Sequence, residues 1–461
     1  MTFSQPTNFS ETSNLQQDSA IYVGIDIGTT KVCVIIAKSI PNVGVNIIGL
    51  GTADSNNGIS RGVIVNIENT TRAIQQAVEK AQQMSGIQIK SAVVGIAGDH
   101  IQVLHTKAVI TTNNPNREIT RADVQRLMDD SQQISLPSDR KILHTIPQSF
   151  VVDGQDGIKD PVGMSGLRVD ADVHLVTAAG PYLQNIYRCC ERAGIEVSGL
   201  VLEPIASAAA VLDEEEKDVG VAIIDIGGGT TDIAIFHNNI IRLTSSFGIA
   251  GKQVTDDIKA WLGITYAQAE KIKRDYGHCI EESIVRDERF PVAKATRTPV
   301  EVSKSDLCSI IQPRMEEIFE FAWGEISRSN MAPKLSAGVV ITGGAANLRG
   351  ADILASHIFG LPVKLGIPNG IAERALAPEA MNPMYATAVG LILYAIDEGK
   401  KAEYLLQESV RDETSVREST SYINSRIVQP KTPINQQNKT KNADQNSGNF
   451  IKKVVDWFTK L

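Results

Sequence analysis

Val219 to Phe236 reads V-G-V-A-I-I-D-I-G-G-G-T-T-D-I-A-I-F, an apolar run that carries one carboxylate, Asp225, into three glycines and two threonines before a second apolar run opens after Asp232. The pattern predicts a strand, a tight turn and a second strand. A buried strand that ends in a carboxylate needs a partner for it, and glycine weakens a strand unless another group must approach its backbone. Glycine lets backbone N–H groups come close to phosphate oxygens, threonine hydroxyls add donors, and an aspartate suits the magnesium that accompanies a nucleotide. The plainer alternative is an ordinary hairpin turn.

A second copy weighs against the plain hairpin. Val23 to Lys31 reads V-G-I-D-I-G-T-T-K and leads into the apolar run Val32 to Ala37, so aspartate, glycine and paired threonines recur in the same order. Two related halves facing one another across a nucleotide cleft are the expectation. The chain has neither a G-x-x-x-x-G-K-[ST] loop nor a G-x-G-x-x-G fingerprint at these turns.

The length of 461 residues implies several domains, and 42% hydrophobic content is enough to build their cores. With 45 basic and 53 acidic side chains the formal charge is −8, which argues against nucleic acid as a partner of the whole surface. The five cysteines include no C-x-x-C pair, and two of them, Cys189 and Cys190, are adjacent; they suit a reducing cytosol better than a zinc site or a disulfide framework. No basic residue precedes Lys31 and no apolar run approaches eighteen residues, so neither secretion nor a membrane span is expected.

Residues 1–19 are rich in Ser, Thr, Asn and Gln and are expected to be disordered. Beyond the first hairpin, apolar residues at 74, 77, 78, 81 and 84 predict a helix from Asn69 to Met84, with Asn69 or Thr70 as cap and Gly86 as stop. A distinct unit is expected from Lys90 to Leu167, with strands near Val93, Val109 and Leu143–Val152 and a capped helix from Thr120 to Ser131. In E-P-I-A-S-A-A-A-V-L, Pro204 suits a first helical turn and Glu203 stands at its entrance, either favouring the helix dipole or placed to position an attacking water. Asp213 to Glu216 reads as a solvated loop. Thr255–Leu262 and Thr265–Tyr276 read as helices, the second bearing Glu270 and Lys273 at i and i+3, a spacing that usually means a surface ion pair. Val339 to Leu348 is another apolar strand that runs into glycines and then a helix, and Asn382–Ile396 is a last Ala-rich helix.

Tyr404 to Gly448 shifts to polar residues and reads as a linker with a reach of roughly 35–40 Å. The chain then ends G-N-F-I-K-K-V-V-D-W-F-T-K-L. On a helix, Phe450, Ile451, Val454, Val455, Trp457, Phe458 and Leu461 share one face, within about 160° of arc, while Lys452, Lys453, Asp456, Thr459 and Lys460 take the other. Docking on the protein's own domain or in a partner's groove is one use of such a helix; aromatics opposite lysines at the end of a tether suit the membrane interface better.

The two glycine-aspartate turns, the E-P helix entrance and the T-G-G strand end together resemble the nucleotide-binding motifs of the actin-like ATPase superfamily. Within it the chain resembles the FtsA family of bacterial cell-division proteins, through A-G-D-H-I (Ala97–Ile101), P-V-G-M-S-G-L-R-V (Pro161–Val169), I-D-I-G-G-G-T-T-D and the amphipathic C-terminus. The likeness covers nearly everything from Ile21 to Lys400 and the last dozen residues.

The resemblance implies an α/β, actin-like two-lobed fold with a small inserted α+β domain and a disordered C-terminal tether ending in an amphipathic helix. Its divisions would be a first domain of 20–89 with 168–214 and 380–400, an inserted self-assembly domain of 90–167, a second domain of 215–247 with 309–379, and a nucleotide- or partner-binding subdomain of 248–308. A linker of 401–448 and a membrane-targeting helix of 449–461 would follow. It implies ATP with Mg2+, held by Asp26, Gly28, Thr29, Thr30 and Lys31 on one side and by Asp225, Gly227, Gly228, Gly229, Thr230, Thr231 and Asp232 on the other. Asp26 and Asp225 would serve the metal, and Gly251, Glu270, Lys273, Gly343 and Gly344 would flank ribose and adenine. Glu203 takes the place of the superfamily's water-positioning residue; family members vary there, so binding with weak or regulatory hydrolysis is what the likeness implies.

Its family function would be to polymerise on the cytoplasmic face of the cell membrane at the division site, anchor filaments of the tubulin-like FtsZ there, and recruit later division proteins. I-Q-P-R (Ile311–Arg314) resembles the family's I-x-P-R at the site for the FtsZ tail, which makes Arg314 the candidate contact. Of the alternatives, a small-molecule kinase would need a substrate base that has no evident candidate, and a chaperone ATPase would need a substrate domain after residue 400. A PilM-like pilus-assembly adaptor shares the core and the insert, and the amphipathic tail weighs against it.

Overall fold

Two hairpins built on the aspartate turns organise the protein. In a computed structural model that describes residues 20–40, 44–112, 116–293, 299–372 and 378–399, strand Ile21–Ile27 pairs antiparallel with Lys31–Ile40, and Val221–Ile226 pairs antiparallel with Thr231–His237. Each aspartate strand also pairs in parallel on its other side, Ile21–Ile27 with Ser91–Ile96 and Val221–Ile226 with Val339–Thr342. The first sheet runs Glu196–Leu202, Ser91–Ile96, Ile21–Ile27, Lys31–Ile40, Gly44–Asp54. The second runs Val363–Leu365, Val339–Thr342, Val221–Ile226, Thr231–His237, Ile240–Phe247. The order and the strand directions are the same in both, so the duplication of the sequence motif is a duplication of the whole sheet. This is the actin-like two-lobed fold.

Both faces of these sheets are covered, which is why their strands read as unbroken apolar runs: every residue of Val221–Ile226 is buried. On the first sheet, helix Ile67–Ser85 lies against Gly44–Asp54, where a side chain on Gly51 would run into the Ala77 carbonyl and one on Gly49 would come within 2.6 Å of the Ala81 carbonyl. The helix starts at the side chain of Asn66, which accepts the Asn69 N–H, and not at Asn69 or Thr70; Thr70 is turned inward and donates to the carbonyls of Gly58 and Asn66. Its stop is Gly86, left-handed at φ 72°, as its position requires.

The inserted domain is a four-stranded antiparallel sheet in the order Gln102–Thr111, Arg168–Ala179, Arg140–Val152, Gln155–Ile158. Helix Arg121–Ser131 covers it, with Thr120 and Asp123 capping each other reciprocally. The expected limits of 90–167 are displaced: Ser91–Ile96 is an inner strand of the first lobe, and Arg168–Ala179 is central to the insert. Both segments are apolar enough for either sheet, so only the pairing decides between them.

Other differences are local. Asp213–Glu216 is not a loop, because the Asp213 N–H donates to Glu216 Oε2 and opens the short helix Glu214–Val219. The helix expected from Thr255 begins at Gly251 and runs to Leu262, and Thr265 caps Tyr266–Tyr276. Helix Lys304–Arg328 is continuous through Pro313, so a subdomain limit at 308 cuts an unbroken element. Residues 345–347 form a 3-10 turn, and the helix after T-G-G starts only at Ala351. The N-terminal stretch, the linker and the amphipathic C-terminal helix lie outside the described residues.

A helix over 386–399 and helix Glu203–Val211 sit between the lobes, where one core cluster takes Ile35 and Ile47 from the first sheet, Ile223 and Ala234 from the second, and Ala388 and Ile392 from the last helix. The two helices touch backbone to backbone at Gly390, where a Cβ would overlap the Ala206 carbonyl. Replacing Gly390 with Ala should lower stability by about 1–3 kcal/mol through this overlap, although helix propensity alone would favour Ala by about 1 kcal/mol. Denaturant unfolding decides the sign, and a variant as stable as wild type would mean that the helices separate freely.

Candidate nucleotide cleft

Each hairpin closes with the same hydrogen bond: the Gly28 N–H donates to the Lys31 carbonyl and the Gly227 N–H to the Thr230 carbonyl, both at 3.0 Å. The turns meet from opposite lobes. A side chain on Gly228 would run into Thr30, and one on Gly229 into Thr29, so glycine is required here by close approach. Thr29 Oγ1 accepts the Gly62 N–H at 3.2 Å. Lys31 reaches across to the 3-10 turn Pro383–Tyr385 that leads into the last helix, donating to the Met384 carbonyl at 2.7 Å and lying 3.9 Å above the Tyr385 ring. The carbonyls of Gly227 and Gly228 accept the N–H groups of Gly251 and Lys252, which pins the start of helix Gly251–Leu262 to the second turn.

Below the turns, acids gather with too few cations. Asp225 is buried and accepts Ser207 Oγ at 2.5 Å and Thr387 Oγ1 at 3.0 Å. Its carboxyl is pushed up by burial, against the pull of those two hydroxyls and of Lys31. Burial pushes Asp26 up to about 6, with Lys31 opposing and Asp225 adding. Asp232, cross-strand from Asp225, is pushed up to about 7 by burial and by the charges of Asp225 and Asp26, against the pull of the Ser246 and Thr230 hydroxyls, and among the described residues its buried Oδ1 has no hydrogen-bond partner. Glu203, the first residue of its helix, is raised well above the usual carboxylate range by burial and then by Asp26, Asp232 and Asp225. Among the described residues, Lys31 is the cation whose charge lowers both Asp26 and Asp225. Among the described residues no three His, Cys, Asp or Glu side chains converge as a ready-made metal ligand set. A magnesium that arrives on phosphates needs only one or two protein carboxylates, and Asp26 and Asp225 suit that smaller demand.

The ion pair expected at the surface is inside. Lys273 is 7% exposed and its Nζ contacts Glu270 Oε2 at 2.7 Å, Thr255 Oγ1 at 2.8 Å and the Gly251 carbonyl at 3.0 Å. Glu270 also accepts Thr255 Oγ1 at 2.5 Å. The spacing at i and i+3 sets the pair on one helical face, and that face is turned toward Gly251. Burial pulls Lys273 down while Glu270 holds it up. Opposite, Gly343 takes φ 93° with no room for a side chain beside Asp225 Oδ1, and its N–H donates to the Pro383 carbonyl. A Cβ added at Gly251 would lie 3.0 Å from the Ala345 Cβ, so Gly251, with Lys273 and Glu270 beside it, comes close to the turn that follows Gly343 and Gly344.

Arg314 is elsewhere, gripping Asp257 with Nε at 2.7 Å and Nη2 at 3.3 Å, and pairing with Glu317. The cleft also contains residues that the sequence did not single out: Ser207, Thr387, Gly62 and the Met384–Tyr385 step. Ser207 follows Glu203 by one helical turn and was legible as facing the same way. Thr387 gave no signal, because only the tertiary fold brings the last helix to Asp225.

A family model described as Cell division protein FtsA matches residues 222–390, and one described as SHS2 domain inserted in FTSA matches 98–177. The cell division protein FtsA of Pseudomonas aeruginosa is 41% identical over 383 residues, covering 83% of this chain and 91% of that protein. The chain belongs to the FtsA family. It is thus a cell-division protein, and the FtsA of Bacillus subtilis is 34% identical over 449 residues, covering 96% of this chain and 99% of its own. Among solved structures, the PilM-PilN type IV pilus biogenesis complex aligns with a TM-score of 0.58 at 15% identity, over 81% of this chain and 98% of that one. That likeness is one of fold, and FtsA relatives at twice the identity set the pilus-adaptor reading aside. The SHS2 match of 98–177 also follows the observed inserted sheet, Gln102 to Ala179, and not the limits 90–167.

The raised carboxyls give a pH dependence with a definite sign. A group whose folded pKa lies above its unfolded value holds extra protons when folded, so its contribution is complete below the unfolded value and is lost as pH rises through the folded one. Asp26 and Asp232 rise from 3.8 to about 6 and about 7. The nucleotide-free protein should therefore lose stability between about pH 4 and pH 7, and Asp232→Asn should flatten that loss. Denaturant midpoints at pH 5, 6, 7 and 8 check this, and parallel curves for the two proteins would contradict it.

Proposed function

We propose that this member of the FtsA family binds ATP with Mg2+ between the two turns, polymerises on the cytoplasmic face of the cell membrane at the division site, anchors FtsZ filaments there and recruits later division proteins. The observation that carries the nucleotide reading is the pairing of two abutting glycine-threonine turns with a buried acid cluster short of positive charge. The turns offer backbone N–H groups and the hydroxyls of Thr29, Thr30 and Thr230 to phosphates, as glycine-rich turns do elsewhere. A bound divalent cation relieves the repulsion among Asp26, Asp225 and Asp232. Glu203 is the candidate for placing a water, and Lys31 for balancing phosphate charge. Gly251, Glu270, Lys273, Gly343 and Gly344 border the end suited to ribose and base.

The test is calorimetric titration with MgATP. Asp225→Ala removes the partner of two hydroxyls and one candidate metal ligand, and should weaken binding about tenfold or more, a loss of at least 1.4 kcal/mol. Wild-type protein that shows no saturable MgATP binding would end the nucleotide reading, and equal affinity in the variant would remove Asp225 from the site.

For FtsZ, helix Lys304–Arg328 is the proposed docking element. Since the Arg314 guanidinium is already held by Asp257 and Glu317, its part is to bind this helix to Gly251–Leu262 beneath a docking face, with an acidic tail exchanging for those carboxylates. Membrane attachment rests on the sequence of the last helix. Among the described residues no helix is long and apolar enough to cross a membrane, and the Bacillus subtilis alignment, at 96% of this chain, extends into the segment after residue 400. Phe450, Ile451, Val454, Val455, Trp457, Phe458 and Leu461 would enter the acyl boundary, with Lys452, Lys453 and Lys460 at the headgroups. Trp457→Glu should abolish flotation with anionic vesicles while leaving MgATP binding unchanged. A variant that floats like wild type would make the tail a protein-docking element.

A further inference from the structure

Glu203 stands where a strand of the first lobe becomes a helix, and the residue just before it has an unusual hydrogen-bond partner. Leu202 ends the edge strand Glu196–Leu202 and is the N-cap of helix Glu203–Val211, which has no side-chain cap. Its backbone N–H donates at 3.0 Å to Nε2 of His144. His144 belongs to strand Arg140–Val152 of the inserted domain, where it pairs with Val176. An Nε2 that accepts must be unprotonated, so the imidazole is neutral with its proton on Nδ1. Burial, which holds this ring well toward the acid side, to about 4, keeps it so at neutral pH.

The bond sits within a shared core and is not an isolated surface contact. Val103, Ile146 and Val176 of the insert pack with Leu202, Ile205 and Leu391 of the first lobe. The His144 ring also meets Tyr394 of the last helix edge to face, 6.2 Å between centroids. On the cleft side, the stem of Glu203 rests against the bare backbone of Gly95, where a Cβ would lie 3.2 Å from its Cγ. Glu203 is therefore fixed from two directions, by Gly95 beneath its stem and by the insert through the amide that precedes it.

We infer that His144 is a positioning residue for Glu203: the inserted domain holds the Leu202 N–H and with it sets the place of the carboxyl in the cleft. This rests on the nucleotide reading above. Its consequence is directional. Disturbing His144 changes how bound ATP is processed and leaves its affinity nearly untouched, because the turns that hold phosphate do not touch the imidazole. It also makes the insert, the element expected to carry self-assembly, a lever on the cleft.

The experiment compares full-length wild type, His144→Gln and His144→Leu. Glutamine offers a carbonyl oxygen that can accept the Leu202 N–H, and leucine offers none. MgATP affinity should stay within about twofold in both, measured by titration. Single-turnover hydrolysis with protein in excess should be roughly tenfold or more slower in His144→Leu and largely restored in His144→Gln, as expected when a reacting group is displaced without loss of binding. Hydrogen exchange in peptides spanning 196–206 should quicken in His144→Leu alone. Should the leucine variant fail to fold, His144→Asn, whose amide is too short to reach, takes its place. His144→Gln as slow as His144→Leu, or wild type that binds MgATP without hydrolysing it, overturns the inference and leaves the nucleotide reading standing. Wild type that does not bind MgATP overturns both.

Discussion

Asp26 and Asp225 are carried to the same place by two copies of one sheet, and the burial of their carboxylates is the constraint to which the surrounding elements answer. Removing an aspartate from water without a partner is costly. Here the partners come from sequence-distant segments: Ser207 from the helix after the first sheet, Thr387 from the last described helix, and Lys31 from the turn beside Asp26. The supply stops short, however, since among the described residues Asp232 Oδ1 has no partner and Asp225 and Asp26 repel this carboxyl. A fold selected for stability alone would replace such a cluster with apolar side chains of similar size. Its place between two glycine turns is what stability alone does not explain and what the proposed nucleotide site accounts for.

The geometry of the turns follows from the same constraint. Gly228 and Gly229 lie against Thr30 and Thr29 with no space for side chains, so the lobes meet at the turns themselves. The insert also reaches the second lobe: Gln148 donates through Nε2 to the Ile241 carbonyl and accepts Arg242 Nη1 at its main-chain carbonyl. The insert thus touches the second lobe at strand Ile240–Phe247 and the first at Leu202, and it spans the joint around which the cleft would open.

Much of this was legible in the residues. The repeated aspartate-glycine-threonine pattern implied two matched halves, and the matched strand orders bear that out. The cap at Thr120 and the stop at Gly86 were readable because capping is local chemistry. What the residues hid was pairing and burial over long separations. Ser91–Ile96 and Arg168–Ala179 are each plausible in either sheet, so the edges of the insert were misplaced. Glu270 and Lys273 look like any surface i, i+3 pair, and nothing local shows that Gly251 and Thr255 close over them. Asp213 was read as loop because a run of acids suggests solvent, although D-E-E-E carries the spacing of a capping box.

Arg314 shows how a short match behaves once its surroundings are known. In sequence it is a free cation beside a proline, suited to an acidic peptide. In the fold its guanidinium is forked onto Asp257 and shared with Glu317, tying helix Lys304–Arg328 to Gly251–Leu262. Helix Gly251–Leu262 in turn begins on the carbonyls of Gly227 and Gly228. One continuous set of hydrogen bonds therefore runs from the second glycine turn, along a helix, to Arg314. A ligand that moves that turn would move the base of the helix, and a peptide competing for Asp257 or Glu317 would pull on its side. Coupling of this kind is reciprocal in free energy, so in the function proposed above Arg314 would serve less as a lone contact than as a link between the proposed nucleotide cleft and the proposed docking face.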